Sequence, residues 1–224
     1  LVGSEMCIRD RASGLFYERK YLNDPANYGT SYLITSSFGQ SFRITPMQLV
    51  RAVAAIVNGG YVLEPYIVSE VVDADGNTVE KNEKTVLRQV ISQQTSETMR
   101  TLMEQVVTEG TASAARTPGY RVGGKTGTSN KNRDAWFMCV APKLVAGAWV
   151  GGEDQSVHFV SGGEGSVMAL PIVGDFMKRV YDDGRLGLSR NDQFIRPAMM
   201  PRYDCDEETD PCLLYTSDAA DDLI

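Results

Sequence analysis

Three β-prone runs stand next to one another in the second half of the chain: Tyr120–Thr128, Ala135–Ala141 and Leu144–Gly151. The breaks between them are a polar turn, Ser129-Asn130-Lys131-Asn132-Arg133, and the pair Pro142-Lys143. Adjacent strands joined by turns this short form an antiparallel meander. The helical patterns lie before and after this block and do not alternate with it. Segregated helices and strands specify an α+β fold, an antiparallel sheet packed by helices, and not a parallel doubly wound one.

The first strong helix signal is Thr45-Pro46-Met47-Gln48. Thr45 is a natural N-cap, Pro46 suits the first helical position, and Gln48 completes a capping box. Leu49, Val50, Val53, Ile56 and Val57 then recur at helical spacing and predict a buried face. Asn58-Gly59-Gly60 supplies the stop. Residues 12–37, with Asn23-Asp24-Pro25 and Asn27-Tyr28-Gly29 as breakers, read as loop. Tyr61–Ile67 and Val68–Val72 read as extended, Asp73-Ala74-Asp75-Gly76-Asn77 as a tight acidic turn, and residues 80–85 as a charged surface link. That turn lacks the ligand spacing and closing Glu of an EF-hand calcium loop. A second helix is expected over Ser92–Thr108, its face made of Met99, Leu102, Met103, Val106 and Val107. The small-residue segment Glu109–Ala115 closes it. A last helix opens near Ser166, carries Pro171 in its first turn, and is expected to bury Leu170, Val173, Phe176, Met177 and Val180.

Both ends carry sequence of a different kind. Leu1–Asp10 and Cys212–Asp221 look like translations of one transposase-type sequencing adaptor, read on opposite strands. Residues 1–10 and 212–224 are therefore set aside as adaptor, 11–197 are read as one partial domain, and 198–211 as an irregular tail. Neither end is expected to pack on the domain. The first end holds Glu5, Arg9 and Asp10 (net −1) and the second Asp218, Asp221 and Asp222 (net −3), so −3 of the chain's −7 remains. Mild acidity gives no case for nucleic acid. Cys139 and Cys205 remain of the cysteines, without metal spacing or a disulfide framework. No run of about 20 apolar residues marks a membrane span.

Gly123-Gly124-Lys125-Thr126-Gly127-Thr128 is the stretch with chemistry in it. A lysine, hydroxyls and glycines along an exposed strand edge make an anion-binding rail. Lys125 supplies a fixed charge, Thr126 a rotatable donor, and Gly127 lets a ligand approach the backbone N–H groups. His158 reads as a solvated loop histidine. Trp136, Phe137 and Trp149 read as sheet-packing residues, with room for one of them to line a cleft.

In order along the chain, Ser37-Phe38-Gly39-Gln40, Ile44-Thr45-Pro46-Met47-Gln48-Leu49, Asn58-Gly59-Gly60-Tyr61, Glu64-Pro65-Tyr66, Val107-Thr108-Glu109-Gly110-Thr111 and Gly123–Thr128 resemble the C-terminal part of a penicillin-binding protein transpeptidase domain. The resemblance spans about residues 12–197. It implies a partial penicillin-binding/serine β-lactamase-like fold and acyl transfer without a cofactor. A serine attacks the D-Ala–D-Ala end of a peptidoglycan stem peptide, releases D-Ala and passes the acyl group to an amine on a neighbouring strand. β-Lactams acylate the same serine. The implied partners are stem peptides, β-lactams and cell-wall synthesis proteins, and the implied place is the extracytoplasmic face of the bacterial cytoplasmic membrane. By the same resemblance, Lys125 and Thr126 face the terminal carboxylate and the serine–lysine network. Gly127 keeps the edge flat, and Thr128 gives its N–H to the oxyanion hole and its hydroxyl to the carboxylate.

The sequence departs from the family in two ways. It contains no Ser-x-x-Lys, and its one Ser-x-Asn, Ser189-Arg190-Asn191, lies on the wrong side of the rail. The nucleophile motifs are expected upstream of residue 11, so this chain is expected to hold one wall of the site and form no acyl-enzyme. Without the helices that cover the other face of the sheet, apolar surface is expected to be exposed and solubility poor. Secondly, residues 12–125 look most like the division or sporulation type, class B, and residues 133–197 like the bifunctional class A. A single mixed gene and a chimera joined at Lys-Thr-Gly-Thr both fit. Other functional readings are a serine β-lactamase or carboxypeptidase, a penicillin-sensing receptor, and a non-catalytic fragment. The Thr45-Pro46 helix and the Val107–Thr111 segment favour the transpeptidase.

Overall fold

A computed structural model of the chain describes residues 14, 17–24, 29–154 and 156–199. The adaptor-like ends and the tail beyond residue 199 lie outside the described residues. The helices are α1 (Arg19–Leu22), α2 (Gly29–Ser37), α3 (Pro46–Val57), α4 (Gln93–Thr108), α5 (Gly165–Met168) and α6 (Leu170–Asp182). The strands are β1 (Tyr61–Leu63), β2 (Glu70–Val72), β3 (Thr78–Lys81), β4 (Val86–Gln89), β5 (Gly123–Thr128), β6 (Asp134–Ala141) and β7 (Leu144–Gly151).

The N-terminus of α3 forms as its sequence predicts. The Thr45 hydroxyl accepts from the Gln48 N–H at 3.2 Å, and the Gln48 side chain accepts from the Thr45 N–H at 2.8 Å. Two otherwise orphaned donors are satisfied reciprocally. Gly59 and Gly60 end the helix at φ of 101° and 92°, a region that glycine enters without steric cost. The Ser96 hydroxyl then accepts from Gly59 N–H at 2.9 Å, which joins this stop to α4. Asp73 closes the β2–β3 hairpin by accepting from the N–H groups of Asp75 and Asn77. Those bonds favour the ionised form and hold its carboxyl below the usual carboxylate range.

The sheet is the expected meander, β5-β6-β7, antiparallel throughout. Its middle strand separates two cores by strict alternation. Ala135, Phe137, Cys139 and Ala141 face a cluster with Ala112, Ala115, Leu170, Val173 and Met177. Met138 and Val140 face a second cluster with Val53, Met103 and Phe194, flanked by Leu49, Val50 and Trp136. Helix α6 therefore covers one face and α3 the other. Helix α4 straddles the β5 edge, with Met103 in one cluster and Val107 in the other. Gly123 makes this contact close: a Cβ there would lie 2.8 Å from the Met103 carbonyl carbon.

Several expectations are corrected. The stretch read as loop contains α1 and α2, held by packing of Tyr17, Tyr21 and Tyr32, whose ring centroids are 4.4–5.9 Å apart. Tertiary contact here overrides weak local propensity. Residues 64–69 are irregular, while the segment read as a charged link contains the end of β3 and leads into β4. Strand β5 starts at Gly123 because Tyr120 is drawn aside to stack on Tyr181, 3.7 Å between centroids. The last helix breaks at Ala169 into α5 and α6, and Phe176 is 47 % exposed. In α4, Leu102 is 39 % exposed, whereas Ser96, Arg100 and Glu104 are buried. Only Val53 of the predicted α3 face is fully buried. The uncovered sheet face is not found at β6, whereas the exposed apolar surface expected with it is present. Both faces of β6 are packed, yet large apolar residues are exposed on α2 (Leu33, Ile34), around the hairpins (Ile67, Val72, Val79, Leu87), on α6 (Ile172, Phe176), and at Trp149 and Val160.

Candidate functional site

Strand β5 pairs with β6 along one side, and no described strand pairs with its other side. The edge expected from Gly123–Thr128 is therefore present. Alternation divides its side chains. Gly123, Lys125 and Gly127 stand opposite Val140, Met138 and Trp136, while Gly124, Thr126 and Thr128 stand opposite Cys139, Phe137 and Ala135. Directly opposed residues share a face. Lys125 is thus exposed on the α3 side, and Thr126 and Thr128 are turned to the α6 side, 4 % and 6 % exposed.

The Lys125 ammonium is brought back to the strand by donating to the Thr126 carbonyl at 2.8 Å. Cation and threonine backbone meet at the edge although their side chains leave from opposite faces. Gly127 is half-buried, and a Cβ there would meet only Trp136 Cβ, at 3.4 Å. Space alone therefore does not demand a glycine at this position. The Thr128 hydroxyl accepts from Gly165 N–H at 3.1 Å in a buried position. That bond pins the start of α5 to the sheet.

Three further contacts have no signature in residue spacing. The Thr111 hydroxyl lies 3.3 Å from that of Thr126. Thr111 was within a recognised segment, but nothing in the one-dimensional pattern pairs it with a residue 15 positions on. Asp134 closes the β5–β6 turn: its carboxylate accepts from the Ser129 hydroxyl at 2.8 Å and from the Trp149 indole N–H at 2.9 Å. Glu104, 6 % exposed, accepts from Arg121 Nη1 at 2.8 Å and pairs with Arg196 at 3.6 Å, anchoring the approach to β5 against α4. A buried carboxylate is tolerated because it is paired and hydrogen-bonded.

The remaining candidates settle as structural. His158 is exposed, with Nδ1 2.9 Å from the Ser156 carbonyl. Ser189 and Asn191 belong to a local turn in which Ser189 Oγ accepts from Asn191 N–H. Phe137 is fully buried and Trp149 is 41 % exposed. Burial pushes the Cys139 thiol up to about 12, so it stays protonated at neutral pH. Burial likewise raises the Tyr181 phenol, whose hydroxyl has no hydrogen-bond partner among the described residues. Among the described residues no group of His, Cys, Asp or Glu could hold a metal ion, and no helix is long and apolar enough to cross a membrane.

The model of the penicillin binding protein transpeptidase domain family matches residues 16–167, more than half of the chain. The chain belongs to the penicillin-binding protein transpeptidase domain family. It is 39 % identical over 158 residues to stage V sporulation protein D of Bacillus subtilis, an alignment covering 64 % of this chain and 24 % of that protein. It is 35 % identical over 137 residues to penicillin-binding protein 1A of Aquifex aeolicus, covering 61 % and 19 %. Among solved structures it is similar to penicillin-binding protein A of M. tuberculosis, determined as an imipenem acyl-enzyme complex, with TM-score 0.56 and 25 % identity over 70 % of this chain and 35 % of that one. The fold is thus that of penicillin-binding transpeptidase domains. The chain spans a quarter or less of the length of these two curated relatives.

Proposed function

We propose that this chain supplies the ligand-carboxylate edge of a serine-type peptidoglycan D,D-transpeptidase. The observation that carries the reading is the edge of β5 beside which no described strand lies, with the Lys125 ammonium on the Thr126 carbonyl and Thr126 beside it, in a chain of the transpeptidase family. Lys125 fixes the terminal carboxylate of a stem peptide or the matching acid of a β-lactam. Thr126 hydrogen-bonds within that network. The Thr128 N–H donates to the oxyanion of the tetrahedral intermediate, and Gly127 keeps the strand flat beneath the ligand. The attacking serine belongs to a Ser-x-x-Lys motif, which this sequence does not contain. The chain alone therefore forms no acyl-enzyme. Residues 11–197 act as one partial domain, and the assembled enzyme works outside the cytoplasmic membrane on peptidoglycan, beside other wall-synthesis proteins.

Two measurements test this. The chain alone is expected to take no covalent label from a fluorescent penicillin. Labelling that disappears on prior denaturation would overturn the claim of inactivity. In the second, residues 17–199 replace the matching stretch of stage V sporulation protein D, which supplies the upstream part. The hybrid is expected to cross-link stem peptides, and Lys125→Ala to lower kcat/KM about 100-fold or more. Full activity of the alanine variant defeats the assignment. Release of D-Ala without cross-linked product indicates a carboxypeptidase, and turnover of the β-lactam a β-lactamase.

A further inference from the structure

Thr126 presents a difficulty for a ligand edge. Its side chain is the expected hydroxyl donor, yet the residue is 4 % exposed. Thr111 stands where that hydroxyl approaches the surface. It is exposed, and its Oγ1 is 3.3 Å from Thr126 Oγ1. That separation is longer than a tight hydroxyl pair, so the contact with Thr126 leaves the Thr111 hydroxyl able to donate to a stronger acceptor.

The position of Thr111 is fixed by its neighbours. Ala112 is fully buried in the core, and its N–H donates to the Val106 carbonyl at 3.2 Å. Gly110 packs against Val106, where a Cβ would lie 2.9 Å from the carbonyl oxygen. Arg116 donates to the Thr108 carbonyl and ties the end of α4 to the following turn. An exposed threonine held between a buried alanine and a tightly packed glycine keeps its hydroxyl in one place at little entropic cost.

We propose that Thr111 is a further ligand-contacting residue of the β5 edge, donating its hydroxyl to the carboxylate that Lys125 attracts. The carboxylate lies at the strand edge between the Lys125 ammonium and the Thr111–Thr126 hydroxyl pair. Thr126 then acts largely through Thr111, orienting its hydroxyl from below. A hydroxyl donor to an ionised carboxylate is a charge-assisted bond, stronger than a neutral one. The inference rests on the reading of β5 as a carboxylate-binding edge.

The test is reversible binding of D-alanyl-D-alanine to the intact chain, followed by backbone amide chemical shifts. The wild-type chain is expected to show saturable shifts at Lys125–Thr128 and at Thr111. Thr111→Val, which removes the hydroxyl at nearly constant shape, is expected to weaken binding about tenfold or more. Thr111→Ser is expected to restore it, with all three proteins melting alike. The C-terminally amidated dipeptide, which has no carboxylate, is expected to bind weakly and equally to the wild type and Thr111→Val. Wild-type binding that Thr111→Val leaves unchanged overturns this proposal and spares the carboxylate edge. Equal weakening by Thr111→Val and Thr111→Ser, or weakening that follows a loss of melting temperature, also overturns it. No shift at Lys125–Thr128 in the wild-type chain overturns the edge and Thr111 together.

Discussion

Glycine at position 123 and glycine at position 127 occupy the same strand face for different reasons. A Cβ at Gly123 would press into the backbone of α4, 2.8 Å from the Met103 carbonyl carbon, whereas one at Gly127 meets a side-chain carbon at 3.4 Å. Gly123→Ala is expected to lower unfolding stability by about 1–3 kcal/mol through overpacking, and Gly127→Ala to leave the melting temperature nearly unchanged while weakening any ligand on the edge. Comparing denaturant midpoints of the two variants checks this. Cys139 offers a second residue-level test. Its folded pKa is raised by burial to about 12, so above the ordinary thiol range the unfolded chain releases a proton that the folded chain keeps. Stability contributed by the buried thiol is complete below pH about 8.5. It is lost as pH rises towards 12, and Tyr181, raised in the same direction, adds to the loss. A Cys7→Ser/Cys205→Ser/Cys212→Ser background, with Cys139 alone, is expected to react with a thiol reagent at pH 8 only on unfolding. Prompt labelling of the native protein contradicts the burial.

Elements differ in how much of their definition is local. The N-terminus of α3 is wholly so: Thr45 and Gln48 are three residues apart and exchange both capping bonds. Thr45→Ala is expected to cost about 1 kcal/mol, measurable by urea titration, and an unchanged midpoint would show the cap to be dispensable. The Asp73 turn is local in the same sense. Helix α2 is the contrary case. Its sequence, Gly29–Ser37, carries Thr, Ser, Tyr and Ile, which have weak helical preference, and it is placed by aromatic contacts across chain positions 17 to 32. The site shows the same division. Gly123–Thr128 was legible as a strand edge because turn residues bracket it. The inward turn of Thr128 was not, because its acceptor role depends on Gly165, 37 positions on. Strand alternation set Lys125 and the threonine side chains on opposite faces, a consequence of the two-residue period that a motif read as a string of letters conceals.

Across the whole molecule, stability runs through β6. Phe137 is fully buried at the centre of one cluster, while Met138 and Val140 sit in the other. Phe137→Ala is expected to cost about 3–5 kcal/mol, a large share of the about 5–15 kcal/mol typical of a domain. Loss of cooperative thermal melting in that variant is the expected outcome, and a small shift in Tm would mean that the two clusters do not depend on each other. What the sequence determined by itself are the features with short-range causes: the α3 cap and its glycine stop, the meander, the acidic turn, and the Lys-Thr-Gly-Thr edge. The buried aliphatic residues of the last helix, Leu170, Val173, Met177 and Val180, were also legible in its spacing, whereas the tertiary structure alone decided that Leu102 and Phe176 stay exposed and that both sides of β6 are covered. It also decided that Thr111 meets Thr126 and that Lys125 bends to the strand carbonyl. The reason is physical. Capping and turn bonds join groups a few residues apart and are written in residue type. Burial and hydroxyl pairing depend on which distant surface arrives, and that is settled only when helices and sheet close on one another.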